Sequence, residues 1–258
     1  MLAPQSKRKP RGPIWTRPAP GVRQPRFTRD QIAAAAIAIA DEEGFQEVSM
    51  RRVAERIGAG TMTLYHYVRT KADLLTLMED ALMAEWLVPA AEMPRDWRAA
   101  MTAIARRARE AMARHPWALH SMQGARMGPN VLRHVEQSMA AVSEAPLPME
   151  TRLELIAVVD DFVFGRALRA ADSIDDPFAD PRAVRALDKL VGDYLKTGEF
   201  PHIAAFVGTE SPAQAFQRAG AAMNDERCFE FGIQAILDGA ERRGQLHGAR
   251  SRVVRTRR

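Results

Sequence analysis

Three hydroxyl residues, Thr28, Ser49 and Thr70, each stand directly before an apolar repeat of helical period, and Gly44 and Gly58 close the first two of those repeats. This punctuation constrains the chain more than any other feature, because a helix that starts at one cap and stops before the next glycine has its length set in advance. At the first start, Thr28 and Gln31 form a TxxQ capping box, with Phe27 and Ile32 at the positions of a hydrophobic staple. Ile32, Ala33, Ala36, Ile37, Ile39 and Ala40 then trace one apolar face up to Gly44. Ser49 opens a much shorter helix, with Met50, Val53, Ala54 and Ile57 at i, i+3, i+4 and i+7 and Gly58 just past its end. The spacing predicts a third helix over about 61–67. Thr70 with Asp73 caps a fourth, whose inward stripe is Leu74, Leu75, Met78, Ala81 and Leu82.

A longer supporting helix followed by two short ones joined at Gly58 is the helix-turn-helix pattern, in which the second short helix enters the major groove. Consecutive helical side chains point about 100° apart, so Tyr65, His66 and Tyr67 cannot all be buried by one surface. Leu64 faces inward with Val68 one turn on, which leaves Thr61, Met62, Thr63, Tyr65, His66 and Tyr67 to point elsewhere. Their hydroxyls, imidazole and methyl groups suit base edges, phosphates and thymine methyls. Between residues 49 and 71 the bases Arg51, Arg52, Arg56, Arg69 and Lys71 face a single acid, Glu55. Positive charge is thus concentrated where phosphates would lie.

Elsewhere the charge is arranged differently. Residues 1–29 carry eight Lys or Arg and no acid, residues 242–258 carry seven Arg and no acid, and the remaining 22 bases face all 32 acids. The chain reads as an acidic body with two basic tails. Like charges repel, and five prolines in "KRKPRGPIWTRPAPGVRQPR" preclude a helix, so residues 1–26 are expected to form a disordered basic arm, either phosphate-binding or merely solubilising. Residues 242–258 are expected to be a basic tail. At 258 residues and 47% hydrophobic, the chain can bury a good core. It has neither a long apolar run nor a secretory signal, which predicts a cytoplasmic protein with no membrane segment. A single cysteine, Cys228, excludes an intrachain disulfide. The six histidines show no HxxxH or HExxH spacing, and adjacent Asp160 and Asp161 diverge too far to act as a dyad, so no metal, cofactor or catalytic site is expected.

In "FTRDQIAAAAIAIADEEGF", "SMRRVAERIGAG", "TLYHYV" and "TKADLL", taken in order and spacing, residues 28–86 resemble the DNA-binding domain of a TetR family transcriptional regulator. The resemblance implies that Arg51 contacts a base or phosphate from the second helix. It implies further that Thr61, Met62, Thr63, Tyr65, His66 and Tyr67 belong to the recognition helix, and that Lys71 holds a phosphate at the start of the fourth. Gly60 departs from the family pattern, in which many relatives place a serine cap. The domain is taken as residues 27–86.

Beyond Trp86 the chain remains all-α, with prolines cutting residues 87–241 into segments of ordinary helix length. "RHPWAL", "GPNVL" and "CFEFGIQAILDGAE" resemble the C-terminal, effector-binding and dimerisation domain of the tetracycline-repressor-like branch. Leu155 to Val159 are apolar on every face, and the segment from about 226 to 241 has the same character. By the resemblance these two helices pair with their symmetry mates in a homodimer. Leu155, Val159, Phe162, Phe229, Ile233, Ile236 and Leu237 would then lie at the interface, with Gly232 allowing close approach. A fully buried central helix of a monomer is the other reading. In "HPWALHSMQGARMGPN", Trp117, Met122 and Met127 stand among His120, Gln123 and Arg126, a composition that suits a small-molecule pocket as well as an ordinary core. The expected protein is a repressor that binds a palindromic duplex operator as a homodimer and is released by a small-molecule effector. The residues also leave open a small-molecule-sequestering helical dimer with little specific affinity for DNA.

Overall fold

The computed structural model describes residues 14–17, 26–121, 127–172 and 178–255, and every regular element among them is helical. The chain forms two compact units, one built from residues 1–93 and 117–140 and the other from residues 94–116 and 141–258.

The first unit holds α1 (Arg29–Glu43), α2 (Met50–Arg56), α3 (Thr61–Tyr67) and α4 (Lys71–Glu85), joined by α6 (Ala118–Ser121) and α7 (Pro129–Ala141). Each predicted cap is present. The Thr28 hydroxyl accepts from Gln31 N at 3.1 Å while the Gln31 side chain accepts from Thr28 N at 2.9 Å. Ser49 and Thr70 cap α2 and α4 by accepting from Arg52 N and Asp73 N. The Asp73 carboxylate does not complete a capping box; it takes the Arg17 guanidinium at 2.8 Å instead. Ile32, Ala36 and Ile39 of α1, Val53 of α2, Leu64 of α3, and Leu74 and Met78 of α4 fill one core. At roughly 25 cal/mol per Å² of apolar surface removed from water, burying such side chains holds helices that are too short to persist alone.

Two features of this unit differ from expectation. Ile14 is buried in the same core, so residues 1–26 are not a free arm throughout: Ile14–Thr16 form a 3-10 turn packed on the helix-turn-helix. The apolar Ile14 and Trp15 offset the repulsion that composition alone suggests. Second, α6 and α7 join this unit although α5 (Trp97–Arg114), which precedes them in the chain, does not. Asp80 of α4 is the link to α7. Its carboxylate accepts from Asn130 N at 2.9 Å and Asn130 Nδ2 at 3.0 Å, capping α7 in place of a local side chain. Gly128 lies against that carboxylate with no room for a Cβ.

The second unit is centred on α5, α8 (Met149–Asp172) and α12 (Glu226–Arg255). Met101, Ile104 and Ala108 of α5 meet Leu155, Val159 and Val163 of α8 and Phe229, Ile233 and Leu237 of α12 in a buried core. Arginines of α5 run along acids of α12: Arg98 with Asp238 and Glu241, Arg106 with Glu230, and Arg109 with Glu226. The hairpins of α9 (Pro181–Lys196), α10 (Pro201–Val207) and α11 (Pro212–Asn224) complete the unit. The basic C-terminal stretch, expected to be a separate tail from residue 242, continues α12 as helix to Arg255.

Candidate nucleic-acid interface

Gly58, at φ +67°, makes the turn between α2 and α3 in a conformation that a side chain would resist. Ala59 N then donates to Ala54 O at 2.8 Å, and Gly60 caps α3 without a side-chain bond. Leu64 and Val68 anchor α3 at 1% and 0% exposure, as the spacing predicts.

Of the residues expected to face outward, Met62, Thr63, Tyr65 and His66 are exposed and Thr61 is half-buried. Met62 is the most open of the apolar side chains here, at 75% exposure. Tyr67 does not face outward. Three residues after Leu64, it returns to the inner face of the helix, where its ring meets Phe27 edge-on at 6.4 Å. Of the outward set, therefore, Thr61 to Thr63, Tyr65 and His66 form the accessible row.

The arginines of α2 divide by surroundings. Arg52 pairs with Glu43 and Glu47, and Arg56 with Glu42 and Glu43, so both are tied to the end of α1 and the turn after it. The bond to Glu42 raises the Arg56 pKa and lowers that of Glu42. Arg51 is far more open, meeting only Glu55 of its own helix at 3.7 Å among the described residues. Arg69 and Lys71 are exposed beside the start of α4. The accessible chemistry is thus a row of small hydroxyl, thioether, phenol and imidazole groups flanked by Arg51, Arg69 and Lys71. Such a surface can bond base edges along α3 and hold phosphates on either side.

The residues expected at a ligand pocket and a dimer seam are described only in part. Trp117 stacks on Phe45 at 5.4 Å and donates from Nε1 to Asp41 Oδ1 at 2.7 Å, so its ring is committed to the DNA-reading unit. Met127 is exposed. Met122, Gln123, Arg126 and the His120 side chain lie outside the described residues. Leu155, Val159, Phe229, Ile233 and Leu237 are buried within their own chain, and Phe162 packs against Phe229 at 5.6 Å with Ile236 half-buried nearby. Leu155, Val159, Phe229, Ile233 and Leu237 thus belong to the unit's own core, while Phe162 and Ile236 stay half-buried. Gly232 likewise admits Phe162 of the same chain. Among the apolar residues of these helices, Leu153, Val158 and Phe231 are open, at 50%, 48% and 75% exposure.

Several contacts had weak signals in the sequence. Ile14 and Trp15 form an isolated apolar pair within a proline-rich basic run, which hints at burial without naming the surface. Nothing in the spacing of Asp41 and Trp117, or of Asp80 and Asn130, pairs them.

The helix-turn-helix, its outward polar row and its flanking cations define a DNA-binding transcriptional regulator. Residues 32–78 match the family described as bacterial regulatory proteins, tetR family, and residues 89–243 match the tetracyclin repressor-like C-terminal domain. The chain belongs to the TetR family of transcriptional regulators, not to an enzyme family. It is similar to the HTH-type transcriptional repressor DrrR1 of Streptomyces coeruleorubidus, with 32% identity over 239 residues, 89% of this chain and 84% of that one. It is similar to a tetracycline repressor protein of class A in Escherichia coli, with 24% identity over 215 residues, 82% of this chain and 89% of that one. Among solved structures, ActR of Streptomyces coelicolor in complex with actinorhodin superposes with a TM-score of 0.63 at 26% identity, over 83% of this chain and 95% of that one. No described helix is long and apolar enough to cross a membrane.

Proposed function

We propose that the protein is a repressor that binds a palindromic operator as a homodimer, reading bases with Thr61, Met62, Thr63, Tyr65 and His66 and holding phosphates with Arg51 and Lys71. The observation that carries this reading is the split within α3: Leu64, Tyr67 and Val68 lock the helix to its core while the polar row stays open. A rigid helix with an exposed polar face is what groove recognition requires. Two copies place two such helices on one duplex, and they pair through α8 and α12, where Val158 and Phe231 are open. A small molecule held by the C-terminal domain then favours a form whose α3 helices are badly spaced for the operator, and so releases DNA. DrrR1 is named as a repressor, and ActR has been seen with a bound small molecule, which supports both halves of the reading.

The test is fluorescence anisotropy with duplexes from the DNA flanking the protein's own gene, in the presence of scrambled competitor and over a range of salt. Binding that survives the competitor supports a repressor. Affinity that is equal for scrambled and flanking DNA overturns operator recognition and leaves a sequestering dimer.

A further inference from the structure

Arg17 and Asp73 meet at the start of α4 in a way that capping does not require. Thr70 and Asp73 hold the two places of a capping box, and the Thr70 hydroxyl accepts from Asp73 N at 3.0 Å. The return bond, from Thr70 N to the Asp73 carboxylate, is not made. Asp73 Oδ2 instead accepts from Arg17 Nη1 at 2.8 Å, and both side chains are largely covered, at 20% exposure for Arg17 and 11% for Asp73. Arg17 is also held by its backbone. Ile14, three residues before it, is buried in the unit's core, and the Arg17 carbonyl accepts from Arg29 Nη2 at 3.0 Å. Neither contact uses the Arg17 side chain, so both survive its replacement.

The consequence of the pair is electrostatic. Asp73 stands two residues after Lys71, a rise of about 3 Å along the helix axis. Side chains two apart on a helix do not face each other, so Lys71 does not neutralise this acid itself. Without Arg17, the carboxylate would turn back to Thr70 N and lie over the first turn of α4. That is where the helix dipole and Lys71 favour a phosphate, and a carboxylate there repels one. Arg17 removes the conflict twice over: it offsets the charge and holds the carboxylate off the helix start. Arg29 lies within electrostatic reach of both, so two guanidinium groups face one carboxylate and the cluster keeps a positive sign. A largely covered ion pair adds little net stability of its own, whereas its place beside Lys71 gives it a part in DNA binding.

We propose that Arg17 is a positioning residue for DNA binding: by pairing with Asp73 it keeps the start of α4 open to the phosphate that Lys71 holds. The proposal rests on the reading of Lys71 as a phosphate contact. It gives Arg17 no contact with DNA of its own.

The experiment compares the full-length protein with Arg17→Ala, Arg17→Lys, Asp73→Asn and Lys71→Ala, and with Arg17→Ala combined in turn with Asp73→Asn and with Lys71→Ala. Each is titrated over a salt series onto a duplex from the DNA flanking the gene and onto a scrambled duplex, and each is melted by circular dichroism. Arg17→Ala should weaken binding to both duplexes by the same factor, roughly fivefold, the effect of one unit charge at close range in water. It should also make log affinity against log salt shallower by up to about 0.9, the share of one phosphate. Arg17→Lys should keep most of the affinity. Adding Asp73→Asn to Arg17→Ala should return affinity and slope close to wild type, because the acid that Arg17 restrained is gone. In Lys71→Ala protein, Arg17→Ala should add little, since the phosphate is already lost. If the variant with Asp73→Asn stays as weak as Arg17→Ala alone, Arg17 is itself a DNA contact and the proposal is overturned. A loss that follows a lower melting temperature with an unchanged salt slope makes the pair a folding staple and also overturns it, as does unchanged binding by Arg17→Ala. Unchanged affinity and slope for Lys71→Ala removes the phosphate reading and the proposal with it. A wild type that does not prefer flanking over scrambled DNA overturns operator recognition alone, because the Arg17 and Asp73 comparison is still read on the scrambled duplex.

Discussion

On α3, Thr63 and His66 offer groups with direction, whereas Lys71 offers a point charge, and mutation should separate the two. Thr63→Ala or His66→Ala is expected to cost about 1–3 kcal/mol on the operator, leave random DNA nearly unaffected and relax preference at one base pair of each half-site. Lys71→Ala should weaken operator and random DNA alike and reduce the salt slope by about 0.9, the share of a single phosphate. Selection from randomised duplexes reads both effects. Asp80 makes a different kind of prediction. Burial raises its pKa above the ordinary carboxylate value, against the opposing bonds from Asn130 and Val131. The folded protein therefore holds this proton more tightly than the unfolded chain does. As pH climbs from the ordinary aspartate value through the raised one, the contribution of Asp80 to stability falls. Asp80→Asn should flatten that part of a thermal-melting profile against pH. At Gly128, adding a methyl group against the same carboxylate should cost about 1–3 kcal/mol, measured by denaturant unfolding, because the bonds to Asn130 keep Asp80 from moving aside.

Helix α8 shows how an apolar run can fix an element without fixing which of its sides turns inward. Leu155 to Val159 are apolar all round, and that all-round character hides which side faces the core. Leu155 and Val159 are buried, while Leu153 and Val158 remain open. The two faces should respond differently to charge. Val158→Glu or Phe231→Glu should break the dimer, seen by light scattering, with little change in helix content and with operator binding lost. Val159→Glu places an unpaired charge in the unit's own core and should cost roughly 4 kcal/mol or more, seen as a collapse of the melting temperature. A wild type that is monomeric at working concentrations would remove the basis for the first contrast. Helix α3 was easier to read because it is short and mixed in character. Its error at Tyr67 arose from treating all three rings as outward, although position i+3 from Leu64 turns back to the core.

At the scale of the molecule, division into two units does not follow the order of the chain. Residues 117–140 leave the C-terminal part of the sequence and join the helix-turn-helix, through Trp117 on Phe45 and Asp41 and through Asn130 on Asp80. Charge follows a similar logic. The excess of acids outside the tails includes Glu42, Glu43 and Glu47, which neutralise Arg52 and Arg56 and leave Arg51, Arg69 and Lys71 as the accessible cations beside α3. Neutralising Glu42, Glu43 and Glu47 together as Gln should release Arg52 and Arg56 toward DNA. The expected result is tighter binding to random DNA with a steeper salt slope, at the expense of operator selectivity in a competition assay.

Helix starts, the helix-turn-helix and the family were legible in the sequence because caps, glycine turns and apolar period are local: Thr28 bonds Gln31, Ser49 bonds Arg52 and Thr70 bonds Asp73, each within one turn. The exposed row on α3 was legible for the same reason, as a period around Leu64. What tertiary structure alone decided were the pairings between residues far apart in the chain. These are Arg17 with Asp73, Asp41 with Trp117, Asp80 with Asn130, and the choice of Val159 over Val158 for the core. A side chain's own sequence neighbourhood carries no record of a partner tens of residues away. Only the packing of whole helices brings those groups within reach and determines which face of each is left for DNA or for a second copy.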